Sequence, residues 1–226
     1  MSSAIINLNN VKKVYQMGDT ELEALSGSNV KIVEGEFVAV MGPSGSGKST
    51  LMNMIGALDI PTSGEVNIGG EDISSFSQDE LSLLRSEKIG FIFQQFNLIP
   101  SMNATENVAL PMLFTGKEKK ERTERAEMLL EKVGLGDRLH HMPSELSGGQ
   151  RQRVSIARAL ANEPDIILAD EPTGNLDSDT GENVMNFLTE LNEEGKTIVM
   201  VTHDENDAEY ADRIIKIVDG KTGVEG

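Results

Sequence analysis

Apolar and polar positions along the chain follow two rhythms, one of strands and one of helices. Ile5, Ile6, Leu8 and Val11, and later Val30-Lys31-Ile32-Val33, come close to alternation and predict strands, with a loop at Met17-Gly18-Asp19. Glu34-Gly35-Glu36 makes a tight turn into a short apolar run, Glu36 to Met41. Thr50 to Leu58 reads as a helix with much of its surface buried, stopped by Pro61-Thr62-Ser63-Gly64. Glu65 to Gly70 gives a strand and turn, Asp79 to Arg85 a helix, and Ile89-Gly90-Phe91-Ile92-Phe93 a core strand ending at Gln94-Gln95. The pattern then changes. Residues 97–116 hold Pro100, Pro111 and scattered apolar positions. In the charged segment that follows, Lys117 to Lys132, Ala126, Leu129, Leu130 and Val133 recur at helical spacing. Val154, Ala157, Leu160 and Ala161 form an apolar stripe within Arg151 to Asn162. Asp165 to Pro172 is a buried strand, Asp179 to Asn192 a helix with Val184, Phe187, Leu188 and Leu191 inward, and Thr197 to Thr202 another core strand. Ile214 to Gly220 closes with a strand and turn. Strands interleaved with helices predict an α/β fold in one domain over 1–226, its core formed by 1–94 and 164–226, with a helical insertion at 95–163.

The strongest local signal is Gly42-Pro43-Ser44-Gly45-Ser46-Gly47-Lys48-Ser49, a complete G-x-x-x-x-G-K-[ST] loop between a strand and a helix. Glycines let the backbone curl and turn several N–H groups inward, and the helix N-terminus adds partial positive charge. Lys48 is placed to neutralise β- and γ-phosphates, and Ser49 to offer its hydroxyl oxygen to Mg²⁺. Motif and flanking elements agree, which favours a nucleotide site over a Gly/Ser-rich turn that binds nothing.

Composition narrows the setting. The 226 residues carry 37 acidic and 20 basic side chains, net charge -17. That balance argues against general nucleic-acid binding, and against simple adhesion to anionic lipid. A solubilising surface is the plainer reading, and an anionic nucleotide must then meet a local basic exception to it. No apolar run is long enough to span a bilayer, and Met1 to Asn7 lacks the basic-then-apolar order of a signal peptide. The absence of cysteine excludes disulfides and thiolate metal sites and fits the cytosol.

Four further places carry chemistry. Ser147 is a natural N-cap before Gly148-Gly149-Gln150, and the paired glycines expose backbone N–H groups at a helix start, a second anion site. Asp170 and Glu171 end a buried strand, where ligands of open α/β sheets bind. Adjacent strand residues face opposite ways, so their jobs differ: Asp170 to hold Mg²⁺, Glu171 to polarise an attacking water. His203, at the end of a core strand, is placed to reach a γ-phosphate. Tyr15 admits either adenine stacking or half-buried β packing. His140 and His141 have no partner pattern, and Lys117 to Arg122 reads as a solvated helix start.

Taken together, these residues resemble an ATP-binding-cassette ATPase over essentially the whole chain. Gly42 to Ser49 matches Walker A, Gln94 the Q-loop glutamine, Leu146-Ser147-Gly148-Gly149-Gln150 the LSGGQ signature, and Ile166 to Asp170 Walker B. Asn175-Leu176-Asp177 resembles the D-loop and His203 the switch histidine. Gly90 to Pro100, Thr105-Glu106-Asn107-Val108 and Asp170 to Asp177 are similar to the lipoprotein-release and macrolide-export (LolCDE/MacB) group, with cell-division cassettes of the FtsE type as close relatives. The resemblance implies a P-loop NTPase core with a mostly parallel central sheet, an N-terminal antiparallel β subdomain and an inserted α-helical subdomain. It implies ATP and Mg²⁺ as ligands. ATP contacts fall at Tyr15, Gly42, Pro43, Ser44, Gly45, Ser46, Gly47, Lys48, Ser49, Thr50, Ser147, Gly148, Gly149 and Gln150. Metal contacts fall at Ser49, Gln94 and Asp170, and catalytic roles at Glu171, His203 and Gln94. It further implies a homodimer that sandwiches two ATP molecules, each between Walker A of one copy and the signature of the other. The pair would sit in the cytoplasm, peripheral on the inner face of the membrane through a separate transmembrane permease subunit. An FtsE-like module that signals to a membrane partner without moving cargo is the alternative. The chain ends soon after Gly220, so the permease is expected on another polypeptide.

Overall fold

The computed structural model describes residues 4–18 and 20–225. Met1 to Ser3, and Asp19 of the expected Met17-Gly18-Asp19 loop, lie outside them. In chain order the elements are β1 (Ala4–Met17), β2 (Thr20–Val33), β3 (Phe37–Met41), α1 (Lys48–Ile55), β4 (Ser63–Ile68), β5 (Glu71–Asp72), α2 (Gln78–Lys88), β6 (Ile89–Phe93) and α3 (Ala104–Phe114). There follow α4 (Lys119–Lys132), a 3-10 turn (Pro143–Glu145), α5 (Gly148–Ala159), β7 (Ile166–Asp170), α6 (Ser178–Glu193), β8 (Thr197–Val201), α7 (Glu205–Ala208), β9 (Arg213–Val218) and β10 (Lys221–Glu225). The chain divides into two compact units, Met1–Arg85 with Asn192–Gly226, and Ser86–Leu191. The insertion expected at 95–163 lies inside the second unit, which also holds β6, β7 and most of α6.

In the first unit β3 pairs in parallel with both β8 and β9, and β10 returns antiparallel on β9. Phe37, Val38, Ala39 and Val40, and Ile198, Val199 and Met200, are at most 1% exposed, so these strands are covered on both faces. A continuous apolar run is what such burial selects, which is why the sequence there shows no alternation. The second sheet of this unit, ordered β2-β1-β4-β5, is antiparallel throughout. From Ile6 to Val11 of β1 the burial alternates, except that buried Leu8 is followed by buried Val11 rather than by position 10. A register shift lies between them, and Asn10 takes a φ of +49° there. One extra residue turns the following side chains back to the core face.

In the second unit β6 and β7 pair in parallel, from Ile89 opposite Ile166 to Phe93 opposite Asp170. Phe91 and Phe93, two apart on β6, stack with ring centroids 5.7 Å apart. Helices α3, α4 and α5 pack on one another, burying Val108, Met112, Ala126, Leu129, Leu130, Val154, Ile156 and Ala157. Helix α3 was the least expected element, because Pro111 lies inside it and its apolar residues are spread around the axis. A capping box starts it: the Asn103 side chain accepts from the Glu106 N–H at 2.9 Å, and the Glu106 carboxylate accepts from the Asn103 N–H at 2.9 Å. Pro111 comes in the last turn, so the helical bond it removes lies near the end of the helix.

Asn107 fixes the chain before this helix. It is fully buried, its amide donates to the carbonyls of Ile99, Met102 and Asn103 at 3.2, 2.8 and 3.1 Å, and its oxygen accepts from the Ile99 N–H at 2.7 Å. Asn107→Ala leaves buried backbone groups without a partner, and its expected cost is about 2–4 kcal/mol of stability. Urea denaturation of the purified chain measures it, and a loss below about 0.5 kcal/mol would show that these bonds are replaceable.

Candidate functional site

The phosphate loop lies in the first unit, between β3 and α1. Its shape rests on positions where no side chain fits. Gly47 has a φ of +106°, and a Cβ there would lie 2.5 Å from the Ala24 carbonyl oxygen. The backbone angle strains any L side chain there, and the carbonyl leaves no room for its Cβ. Helix α1 begins at Lys48 with no side chain capping its first turn, which leaves an uncapped, positively polarised helix start facing the loop. The Lys48 ammonium folds over the loop and donates to the carbonyls of Gly42 and Pro43 at 2.6 and 2.9 Å. Ser46 bonds within the loop through its N–H to Pro43, 3.2 Å, and accepts from the Gly220 N–H at 2.9 Å. Its hydroxyl is buried without a hydrogen-bond partner among the described residues. Pro43, Ser44, Gly45 and Ser49 are exposed, whereas Thr50 is buried against the fold.

Two more residues singled out in the sequence lie in this unit. Tyr15 is half-buried near the end of β1. Its hydroxyl donates to Asp59 at 3.3 Å, and the Lys13 ammonium sits 5.1 Å from its ring centroid. Lys13 in turn pairs with Asp59 at 2.7 Å, so a cation and a carboxylate hold the ring. His203 follows β8 and is exposed. Beside it the Thr202 hydroxyl accepts from the Asp204 N–H at 3.0 Å, and Asp204 caps α7.

The second unit holds Gln94, the Ser147–Gln150 stretch, Asp170 and Glu171. Ser147 caps α5 as its sequence predicts. Its hydroxyl accepts from the Gln150 N–H at 3.2 Å, and the Gln150 side-chain oxygen accepts from the Ser147 N–H at 2.9 Å. Gly149 backs directly onto Thr180: a Cβ there would lie 2.3 Å from the threonine methyl. Thr180 is fixed by Asp177, which accepts from its N–H at 3.0 Å and its hydroxyl at 2.8 Å. The backbone and side-chain bonds from Thr180 hold the Asp177 carboxyl below its usual range. The segment after Asp170 turns sharply, because Glu171 takes a left-handed φ of +46°, uncommon for a residue with a Cβ. Further on, the Asn175 amide donates to the Gln94 carbonyl at 2.8 Å, which brings the two segments together.

Helix α5 reaches both segments through residues that the sequence did not single out. The Arg158 guanidinium donates to the carbonyls of Phe96 and Asn97 at 2.8 and 2.6 Å. Arg151 lies over the Phe96 ring, 5.3 Å from its centroid. Burial lowers the Arg158 pKa from its ordinary value, yet a guanidinium remains charged. The Gln152 amide donates to the Pro172 carbonyl at 2.6 Å. The available signal was their place on the helix that Ser147 opens, where polar residues with little exposure stand among apolar ones. Among the described residues, no group of three or more His, Cys, Asp or Glu side chains could hold a metal ion, and no helix is long and apolar enough to cross a membrane.

Comparison with known proteins agrees with this geometry. The family model described as ABC transporter matches residues 25–174. The chain is 57% identical over 216 residues to the ABC transporter ATP-binding protein YknY of Bacillus subtilis, covering 96% of this chain and 94% of that one. It is 50% identical over 216 residues to the macrolide export ATP-binding/permease protein MacB of Bdellovibrio bacteriovorus, of whose length it spans 33%. Among solved structures it superposes on the dimeric post-hydrolysis state of the ATP-binding cassette MJ0796 bound to ADP and Pi, with a TM-score of 0.89, 52% identity and 97% of each chain covered. A second dimeric structure of that bacterial ABC transporter cassette gives 0.88 with 54% identity and 96% of each chain covered. A phosphate loop, a capped signature helix and relatives that match along nearly the full length lead to one conclusion: the chain belongs to the ABC transporter family, as an ATP-binding, ATP-hydrolysing cassette.

Proposed function

We propose that this cassette works as one of a pair that binds two ATP molecules and, by closing and reopening around them, drives a separate membrane permease of the export or lipoprotein-release type. The observation that carries the reading is the phosphate loop, with Gly47 at a φ of +106° and an uncapped helix start at Lys48. Two dimeric structures of one cassette of similar fold support the pairing. The MacB relatives, in which the matched region is about a third of an ATP-binding/permease protein, support a permease partner and a peripheral place on the cytoplasmic face of the membrane.

In this reading Gly42, Pro43, Ser44, Gly45, Ser46, Gly47, Lys48, Ser49 and Thr50 take the phosphates and Tyr15 the adenine. Ser147, Gly148, Gly149 and Gln150 meet the nucleotide held by the second copy. Glu171 polarises the attacking water, with Gln94 and His203 at the γ-phosphate. The donors assigned to the metal, the Ser49 hydroxyl, the Gln94 amide oxygen and the Asp170 carboxylate, are hard oxygens of the kind that Mg²⁺ takes alongside substrate phosphates. When bound, the ion would neutralise charge developing on the β- and γ-phosphates.

Two substitutions test the assignment. Lys48→Ala removes a charge-assisted donor, a loss of about 2–3 kcal/mol, so affinity for a fluorescent ATP analogue is expected to fall about 100-fold. Unchanged equilibrium binding would take Lys48 out of the site. Glu171→Gln keeps the shape but not the basicity of the carboxylate, and turnover is expected to fall by about 100-fold or more. Because ATP then persists and a negative charge is removed, size-exclusion chromatography with ATP is expected to show a dimer for this variant and mostly monomer for the wild type. Wild-type turnover in Glu171→Gln would remove Glu171 from the chemistry.

A further inference from the structure

We propose that Gln152 is a positioning residue that ties the signature helix to the loop bearing Glu171 and thereby couples the two ATP sites of the pair. The inference rests on the reading above, in which the signature meets the nucleotide of the partner copy and Glu171 serves the nucleotide of its own.

Gln152 lies about one turn into α5, just beyond Gly148 and Gly149. It is fully buried, and its amide nitrogen donates to the Pro172 carbonyl at 2.6 Å. Only the NH₂ end of the amide can donate to a carbonyl, so the chemistry sets the side chain's orientation. Its other end, Oε1, is buried without a partner among the described residues. A buried amide with one end unsatisfied is unfavourable in a core, and an aliphatic side chain of similar size would remove the cost. What the amide does achieve here is a short bond to the residue directly after Glu171.

That residue is where a tether has most effect. Glu171 is held at a φ of +46°, a conformation that persists only where the surroundings fix it. Downstream, the Gly174 N–H donates back to the Glu171 carbonyl at 3.1 Å, and the Asn175 amide anchors the loop to the Gln94 carbonyl at 2.8 Å. Gln152 supplies the anchor on the side of α5. A displacement of α5 when its N-terminus engages a phosphate therefore reaches Pro172 through one short bond, and with it the direction of the Glu171 side chain.

Steady-state ATP hydrolysis by the full chain, measured against ATP concentration, tests this. Gln152→Leu keeps the volume and removes the donor. Its kcat is expected to fall at least about 10-fold with KM within about twofold, as small misplacements of a catalytic group do. The Hill coefficient for ATP in hydrolysis is expected to fall from above 1 toward 1, since the partner's ATP no longer raises the catalytic rate at the other site, a kinetic coupling that leaves the binding affinities unchanged. ATP-driven dimerisation of Glu171→Gln/Gln152→Leu should match that of Glu171→Gln alone, because binding is not the step affected. Gln152→Glu supplies a reading that a packing defect would not produce. Its buried carboxyl, with a pKa raised by desolvation, donates to the Pro172 carbonyl only when protonated, so its kcat relative to wild type should rise about fivefold between pH 8 and pH 6. Wild-type kcat and Hill coefficient in Gln152→Leu would overturn the proposal. So would loss of dimerisation in the double variant together with a flat pH ratio for Gln152→Glu, since Gln152 would then be a packing residue. Should Glu171→Gln itself turn over normally, the functional reading fails; should only Gln152→Leu do so, that reading stands and the tether fails.

Discussion

The second unit depends on what one helix holds. Val154, Ile156 and Ala157 of α5 are fully buried, and Gln152, one turn before Ile156, is buried with them. Two side chains of this helix donate to neighbouring backbone: Arg158 to the carbonyls after Gln94, Gln152 to the carbonyl after Glu171. Backbone carbonyls in irregular segments have no ladder to satisfy them, and leaving them buried and unpaired costs about 1–3 kcal/mol each. One rigid helix carries the donors for both segments, so neither can relax without disturbing it. The charge on Arg158 persists in spite of burial because two carbonyl dipoles face it, a geometry suited to the flat guanidinium and poorly matched by lysine.

In the first unit the comparable constraint comes from the far end of the chain. The turn at Asp219 and Gly220 is fastened to β2, where the Ser26 N–H and the Ser28 hydroxyl both donate to the Gly220 carbonyl, at 2.9 and 2.7 Å. The Gly220 N–H then holds the Ser46 carbonyl. A Cβ on Gly42 would lie 2.2 Å from the carbonyl oxygen of Ile217 on β9, so loop and strand approach closely where only a glycine fits. The phosphate loop is therefore shaped by Ile217 and Gly220, far from it in sequence.

Much of this was readable before any coordinates. The uninterrupted apolar runs gave β3, β7 and β8, because strands covered on both faces need no alternation. Ser147 announced the start of α5 as its N-cap. Other features left no trace in pattern. Pro111 and an even spread of apolar residues hid α3, although Asn103 and Glu106 marked its first turn. The irregularity at Asn10 showed only as a missed beat between Leu8 and Val11. Tyr15 read equally as a packed or a stacking ring, since its partners, Lys13 and Asp59, are fixed by strand geometry and a distant turn. The left-handed conformation of Glu171 was out of reach, since a residue with a Cβ gives no warning of positive φ.

The position of the Lys48 ammonium has a consequence for how tightly an anion can be held. Its bonds to the Gly42 and Pro43 carbonyls mean that the cation is not waiting in solvent. In the proposed site a phosphate would be taken up by substitution, with neutral acceptors giving way to charged ones. The net gain is then the difference between the two kinds of bond, about 1 kcal/mol each rather than the whole strength of a salt bridge. In the proposed site the same carbonyls would receive the lysine again when phosphate leaves, so the loop keeps its cation satisfied in both conditions.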